Sequence, residues 1–378
     1  MTSNKKDPVL VVLQMSGAYD ALNTFVPYGD PHYKDYRQLL KVETEEVLAV
    51  NDYVGFHPSM GPIKNLYDQG KVAVIQGIGY PNPIRSHFRS MDIWHTAEPA
   101  KMGMDGWLGR AIGDIDPNKE NVLTGVNFGR GLPRALASSG VSVASVGGLE
   151  SLGMLTGIDN REDRTEALDI FARMYSPMIG SGATNEYVSQ TGLDALKGAD
   201  ILSTAPAKYS STIEYGGDQF SQWLKNIAQV HTADLGARVL YTGLNPGAFD
   251  THANQPVALS KLWGDVSAGI GDFYQDLKEH NAEREVVMLM FSEFGRRVQE
   301  NGSGTDHGSG SVAFVIGDAV EGGLYGEYPS LEPDKLDEGD LRWNNDFRST
   351  YATLLEKWMG LDSKPILRDS YEVLDFIK

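Results

Sequence analysis

Short apolar runs alternate along this chain with polar, glycine-rich breaks. The run Val286 to Phe291, VVMLMF, contains no polar position. A half-exposed strand would turn every second side chain to water, so an unbroken run suits a strand buried on both faces of a parallel sheet. Ser311 to Ile316, Val9 to Gln14, Val72 to Gly79 and Ala237 to Thr242 read the same way. Shorter strand candidates, Val122 to Phe128 and Val141 to Val146, lie in a glycine-rich stretch from Gly103 to Gly153.

Between these runs the period becomes helical. Gln219 to Val230 carries Phe220, Trp223, Leu224, Ile227 and Val230 on one side. After Pro256, suited to a first helical turn, Leu259, Leu262, Val266, Ile270, Phe273 and Leu277 keep the period. Phe347 to Met359 predicts a closing helix with Tyr351, Leu354, Leu355 and Trp358 toward the core. Phe88, Met91 and Trp94 predict one face of a helix with Ser86 near its N-terminus. Glu162 to Met174 and Asn185 to Leu202 predict a helical cap or insertion over about 155–215, within a single domain spanning 1–378. Pro27 to Pro62 is turn-rich, with short helical pieces expected to cap the sheet. Strands separated by helices predict an α/β fold.

Composition narrows the function. With 378 residues, 41% hydrophobic, the chain can bury a large core without staples. It has no cysteine, which excludes disulfides, thiolate metal sites and cysteine nucleophiles. Its 33 basic and 51 acidic residues give a formal charge of −18, with no basic block to track phosphates, so nucleic acid is not an expected partner. No run approaches the roughly 20 apolar residues that span a bilayer. The lysines near the start precede too short an apolar stretch for a signal peptide, so a soluble, cytoplasmic protein is expected. Assembly into a homo-oligomer is left open.

Candidate chemistry gathers at the predicted strand ends, where open α/β sheets bind ligands. His87, His252 and His307 each stand beside such an end, and two of them neighbour an aspartate. His231 and His280 lie late in predicted helices and read as solvated. Asp250, His252, Asp306 and His307, with Glu293 as a further candidate, offer oxygen and imidazole ligands for a divalent metal. For Asp250 and His252 an Asx-turn with a hydrogen-bonded histidine is the other reading. Ser86 is either a helix N-cap or a nucleophile facing an anion, with His87 beside it as a catalytic candidate and Arg85, Arg89 and Arg296 available for the anion's outer oxygens.

Several motifs together resemble one family. They are Ser16-Gly17-x-x-Asp20-x-Leu22-Asn23-Thr24, Ser86-His87-Phe88-Arg89, Phe249-Asp250-Thr251-His252-x-Asn254-Gln255, Ser292-Glu293-Phe294-Gly295-Arg296 and Thr305-Asp306-His307-Gly308. In order, from Val9 to Met359, they resemble the bacterial Domain of Unknown Function 1501 family, within the alkaline phosphatase and sulfatase superfamily. The resemblance implies an α/β/α sandwich around a mostly parallel sheet, with divalent metals flanking a Ser or Thr nucleophile. Ser86 resembles the nucleophile, Asp250 and His252 a metal-binding pair, and His307 the last histidine ligand. Glu293 stands where an Asp-His pair is usual, and Phe294 where a histidine is expected. The first-strand aspartate falls at about Ser16, leaving Asp20 or Asn23 to substitute, so the second metal site is the one in question. One or two ions of zinc, manganese or calcium are implied.

The expected function is therefore a metal-dependent hydrolase of a small anionic phosphate or sulfate ester. A non-catalytic binding or envelope-associated protein with the same fold is the rival. Phosphotransfer or elimination on the same scaffold is a third reading.

Overall fold

The computed structural model describes residues 7–149 and 198–378, together with Glu166 and Ile170. Most of the helical insertion expected over 155–215 lies outside the described residues. Among the described residues the strands are β1 (Val9–Gln14), β2 (Phe25–Val26), β3 (Leu48–Ala49), β4 (Gly55–Phe56), β5 (Val72–Gly79) and β6 (Gly125–Phe128). They continue with β7 (Ala144–Val146), β8 (Val239–Gly243), β9 (Val286–Phe291), β10 (Ser311–Gly317), β11 (Gly323–Tyr325) and β12 (Asn345–Asp346). Nine of these form one sheet, in the order β11-β5-β10-β9-β1-β8-β6-β7, with β12 also on β5. The turn-rich stretch contributes a small separate sheet, β2-β4-β3.

The sheet is parallel throughout except at β10, which runs antiparallel to both β5 and β9. Helices cover both faces, giving the α/β/α sandwich. Side chains alternate across the pleat. Val9, Val11 and Leu13 thus join one core with the helices Gly61–Asp68, Gln219–Thr232 and Gln255–Glu279. Leu10 and Val12 join the other, with His87–Thr96, Trp107–Ile115 and Phe347–Thr353. In that second core Trp94 stacks between Phe291 at 4.8 Å and Phe347 at 4.4 Å.

Three expectations change. Trp107–Ile115 is a helix within the stretch read as glycine-rich with short strands. The last predicted helix is α-helical only over Phe347–Thr353 and continues as a π-helical turn, Leu354–Met359. His231 is buried, at 7% exposure, and pairs with Glu285 at 3.0 Å, because its helix packs against the sheet beside the start of β9.

Candidate metal centre

The connection from β9 to β10, residues 292–310, shapes the site. Because β10 runs back beside β9, the C-terminal end of one strand and the N-terminal end of the other lie at the same sheet edge. The connection is a narrow hairpin: Gly295 N–H donates to the Ser309 carbonyl at 2.9 Å, and Arg297 N–H to that of Asp306 at 2.9 Å. It delivers Glu293, Arg296, Asp306 and His307. The loop after β8 delivers Asp250 and His252, and the helix after β5 begins with His87.

Two glycines permit this convergence. A Cβ on Gly17, whose φ is +110°, would lie 2.6 Å from the Asp250 amide nitrogen. One on Gly304 would lie 2.2 Å from the His252 carbonyl carbon. Any side chain at either position would push the loops apart.

Arg296 ties these loops together. Its buried guanidinium donates to the carbonyls of Gly17 (2.5 Å), Ala18 (2.6 Å), Thr305 (3.0 Å) and Phe249 (3.1 Å), and to Asp250 Oδ1 (2.7 Å). It is thus placed as a clamp on three loops rather than as a hand for an incoming anion. Burial pushes the Asp250 carboxyl up, but the Arg296 hydrogen bond and charge, helped by His307 and His252, outweigh it and hold the pKa below the usual value.

Around Asp250 Oδ1 the imidazole Nε2 atoms converge. His87 lies at 3.4 Å, His252 at 3.1 Å and His307 at 3.2 Å. His307 Nε2 is itself 3.0 Å from His87 Nε2 and 3.0 Å from His252 Nε2. Each ring is held by its other nitrogen. His307 Nδ1 donates to the Arg85 carbonyl at 2.9 Å, His87 Nδ1 to Glu293 Oε1 at 2.7 Å, and His252 Nδ1 faces Asp306 Oδ1 at 3.4 Å.

A carbonyl can only accept, so His307 carries its proton on Nδ1, leaving a lone pair on Nε2. His87 also donates from Nδ1, and that hydrogen bond to Glu293, with the charges of Glu293 and Asp250, outweighs burial and raises its pKa. Burial raises the Glu293 pKa, but the His87 hydrogen bond, with those from Ser292 and Gly17 N, brings it below the usual value. The two Nε2 atoms are 3.0 Å apart, so either a proton on His87 or a cation stands between them. A single proton bridges two atoms, whereas three nitrogens and a carboxylate oxygen share this spot. Donors around a zinc-like ion at ~2.0–2.1 Å stand about 3.3–3.4 Å from one another, close to the 3.0, 3.2 and 3.4 Å among His87, Asp250 and His307. The donor set therefore fits a metal ion, and among the described residues His87, Asp250 and His307 form a metal-competent group. Ring nitrogens backed by carboxylates and a carbonyl are the usual outer support of such ligands.

The other residues singled out in the sequence are placed as follows. Glu293, at 1% exposure, stands behind His87 rather than beside the Nε2 atoms, accepting also from Gly17 N–H at 2.9 Å. Phe294 packs against the rings of His87 and His307 at 4.9 and 5.2 Å. Asp306 is exposed and accepts from Asn301 Nδ2 at 2.9 Å. Asp20 and Asn23 are not brought into the cluster. Asp20 is buried in a two-pronged ion pair with Arg37 and accepts from Gln255 Nε2 at 2.5 Å. Asn23 donates to the Leu40 carbonyl at 2.6 Å and accepts from Tyr33 at 2.9 Å. Arg89 pairs with Asp92 and donates to the Pro99 and Lys101 carbonyls at 3.0 and 2.8 Å. Ser86 is the N-cap of His87–Thr96, and its side chain makes no capping hydrogen bond. His87, expected among the catalytic residues, stands instead in the metal-competent group with Asp250 and His307; its strand-exit position was the available signal.

None of the curated proteins matches the chain. Among solved structures it is similar to the PsFucS1 sulfatase from Pseudoalteromonas sp., at 11% identity over 98% of this chain and 71% of that one, TM-score 0.43. A protein in the alkaline phosphatase superfamily from Vibrio parahaemolyticus aligns at 9% identity over 86% and 64%, TM-score 0.35. The C-terminal periplasmic domain of EcEptC from Escherichia coli, in complex with Zn, aligns at 9% identity over 84% and 75%, TM-score 0.36. The family model described as protein of unknown function (DUF1501) matches residues 48–367, and the chain belongs to that family.

Proposed function

We propose that this protein is a hydrolase of phosphate or sulfate esters that holds one divalent cation through His87, Asp250 and His307, with His252 beside them. The observation that carries the reading is the convergence of three Nε2 atoms on Asp250 Oδ1, with the outer nitrogens of His87 and His307 already committed. A donor set of imidazoles and one carboxylate suits zinc or manganese better than calcium, which prefers oxygen. When bound, such a cation supplies Lewis acidity toward an ester oxygen.

Ser86 is assigned the attack. Its hydroxyl is not spent on capping the helix, and the unpaired N–H groups and positive end of the ten-residue helix behind it favour an anion there. As the Ser86 Oγ bond to phosphorus or sulfur forms, the bond to the ester oxygen breaks, and the leaving oxygen takes a proton. Water then releases the serine. Glu293 keeps His87 in one tautomer and orientation, and Phe294 limits the swing of the His87 and His307 rings.

The test is elemental analysis of protein purified without a histidine tag, with turnover of 4-nitrophenyl phosphate and sulfate. About one equivalent of zinc or manganese is expected, lost in His307→Ala. Ser86→Ala should keep the cation and lose turnover by roughly a thousandfold or more. Protein that stays metal-free after incubation with zinc and manganese, or a Ser86→Ala variant as active as wild type, sinks the mechanism. Bound metal with no turnover of either ester moves the assignment to a binding protein.

A further inference from the structure

Beside the cation cluster the chain keeps large apolar side chains in water. Phe88, the residue after His87, is 93% exposed, although its spacing with Met91 and Trp94 predicts a core position. Met104 is 85% exposed, Met102 62% and Leu132 47%. They are four of the ten large apolar side chains exposed among the described residues.

They are held in place from beneath. Arg89 donates to the Pro99 and Lys101 carbonyls, which fixes the segment leading to Met102 against the helix His87–Thr96. Arg134 donates to the Gly103 carbonyl and pairs with Asp92 at 2.6 Å, which brings Leu132 and Met104 to the same helix. Asp92, 7% exposed, takes both arginines. Gly106 permits the packing: a Cβ there would lie 2.1 Å from the Arg134 carbonyl oxygen. An ionic network centred on the buried Asp92 therefore positions a loop whose own apolar side chains stay outside. An apolar patch rimmed by polar groups and rigidly presented marks a binding surface.

Its occupant follows from what it adjoins. Phe88 follows His87 on the same helix and lies two residues from Ser86, so a molecule lying across it adjoins the cluster. The chain carries a formal charge of −18, which disfavours an anionic membrane surface as the partner. We infer that the substrate is an amphiphile: a phosphate or sulfate ester whose alcohol portion is a long apolar chain that lies across Phe88, Met102, Met104 and Leu132. This inference rests on the hydrolase reading for its headgroup and on the exposed patch for its tail.

The test is a homologous series of n-alkyl phosphates and sulfates from butyl to dodecyl, each below its micelle concentration, with kcat/KM plotted against chain length. The expected result is a rise of about twofold per methylene along the patch, half of full methylene burial. The slope should flatten in the double variant Phe88→Ser, Met104→Ser. Both positions are exposed, so this variant should fold as wild type does, which circular dichroism checks. A flat series in wild type overturns the amphiphile and leaves the hydrolase standing. If no ester in the series turns over, calorimetry with n-alkyl phosphonates separates the two claims. Affinity that grows with chain length and loses that growth in the double variant supports the patch, and chain-independent affinity or no binding overturns it.

Discussion

At Glu293 the chain buries a carboxylate against the outer nitrogen of His87, one step away from the position a cation would take. Glu293→Gln keeps the shape and removes the charge that fixes the His87 proton. Cation affinity should fall about 10–100-fold, read by competition with a chromogenic chelator, with the near-UV dichroism unchanged. The buried pair of Arg37 and Asp20 behaves differently. Arg37→Met strands a carboxylate at 0% exposure and should cost about 3–5 kcal/mol in urea unfolding. The histidines of the site were legible because each stands at a strand end beside small or acidic residues. The division of labour was not. Whether an acidic residue ligates or stands behind a ligand depends on which nitrogen of the ring it meets. The partners of Arg296 are mostly backbone carbonyls, which leave no trace in a sequence.

Among the elements, the direction of β10 is the instructive case. VVMLMF and SVAFVI are apolar at nearly every position, so both predict strands covered on two faces. A run without alternation reads alike in either direction, and β10 takes the antiparallel place between β9 and β5. The helix Trp107–Ile115 escaped notice for another reason. It contains Gly109 and Gly113, poor helix formers on their own, and packing decides its state: a Cβ on Gly109 would lie 2.8 Å from the Leu136 carbonyl. Trp94 offers the sharpest test at this scale. It is 1% exposed between Phe291 and Phe347, on the helix that carries His87. Trp94→Ala should cost about 3–5 kcal/mol in denaturant unfolding, and it should weaken cation binding because the helix loses its seat.

Over the whole molecule, two buried rings outside the cluster link stability to pH. Burial lowers His57 and His95 from 6.5 to about 4 each. Both fold neutral, while the unfolded chain takes up protons once the pH drops through 6.5. Their contribution is therefore complete above that value and drains as the pH falls toward 4, at up to about 1.4 kcal/mol per pH unit per ring. Urea midpoints taken between neutral pH and pH 5 should show this slope, and His95→Gln should reduce it. The layered architecture and the placing of chemistry at one sheet edge were legible from strand and helix periods. The distant partners that bury these two rings were not.

The cluster's members are also far apart along the chain. His87 and His307 are 220 residues apart, and His252 is 55 residues from His307. Each pair meets only when β5, β8, β9 and β10 have docked and the β9–β10 hairpin has closed. Meetings across such long loops are entropically costly, so we expect the ring nitrogens to join after the transition state for folding. A cation held there would act as a latch on the finished protein, not as a template for its assembly. Stripping it with a chelator should leave the refolding rate in stopped-flow experiments unchanged and speed unfolding, so that the loss appears as a shorter native lifetime.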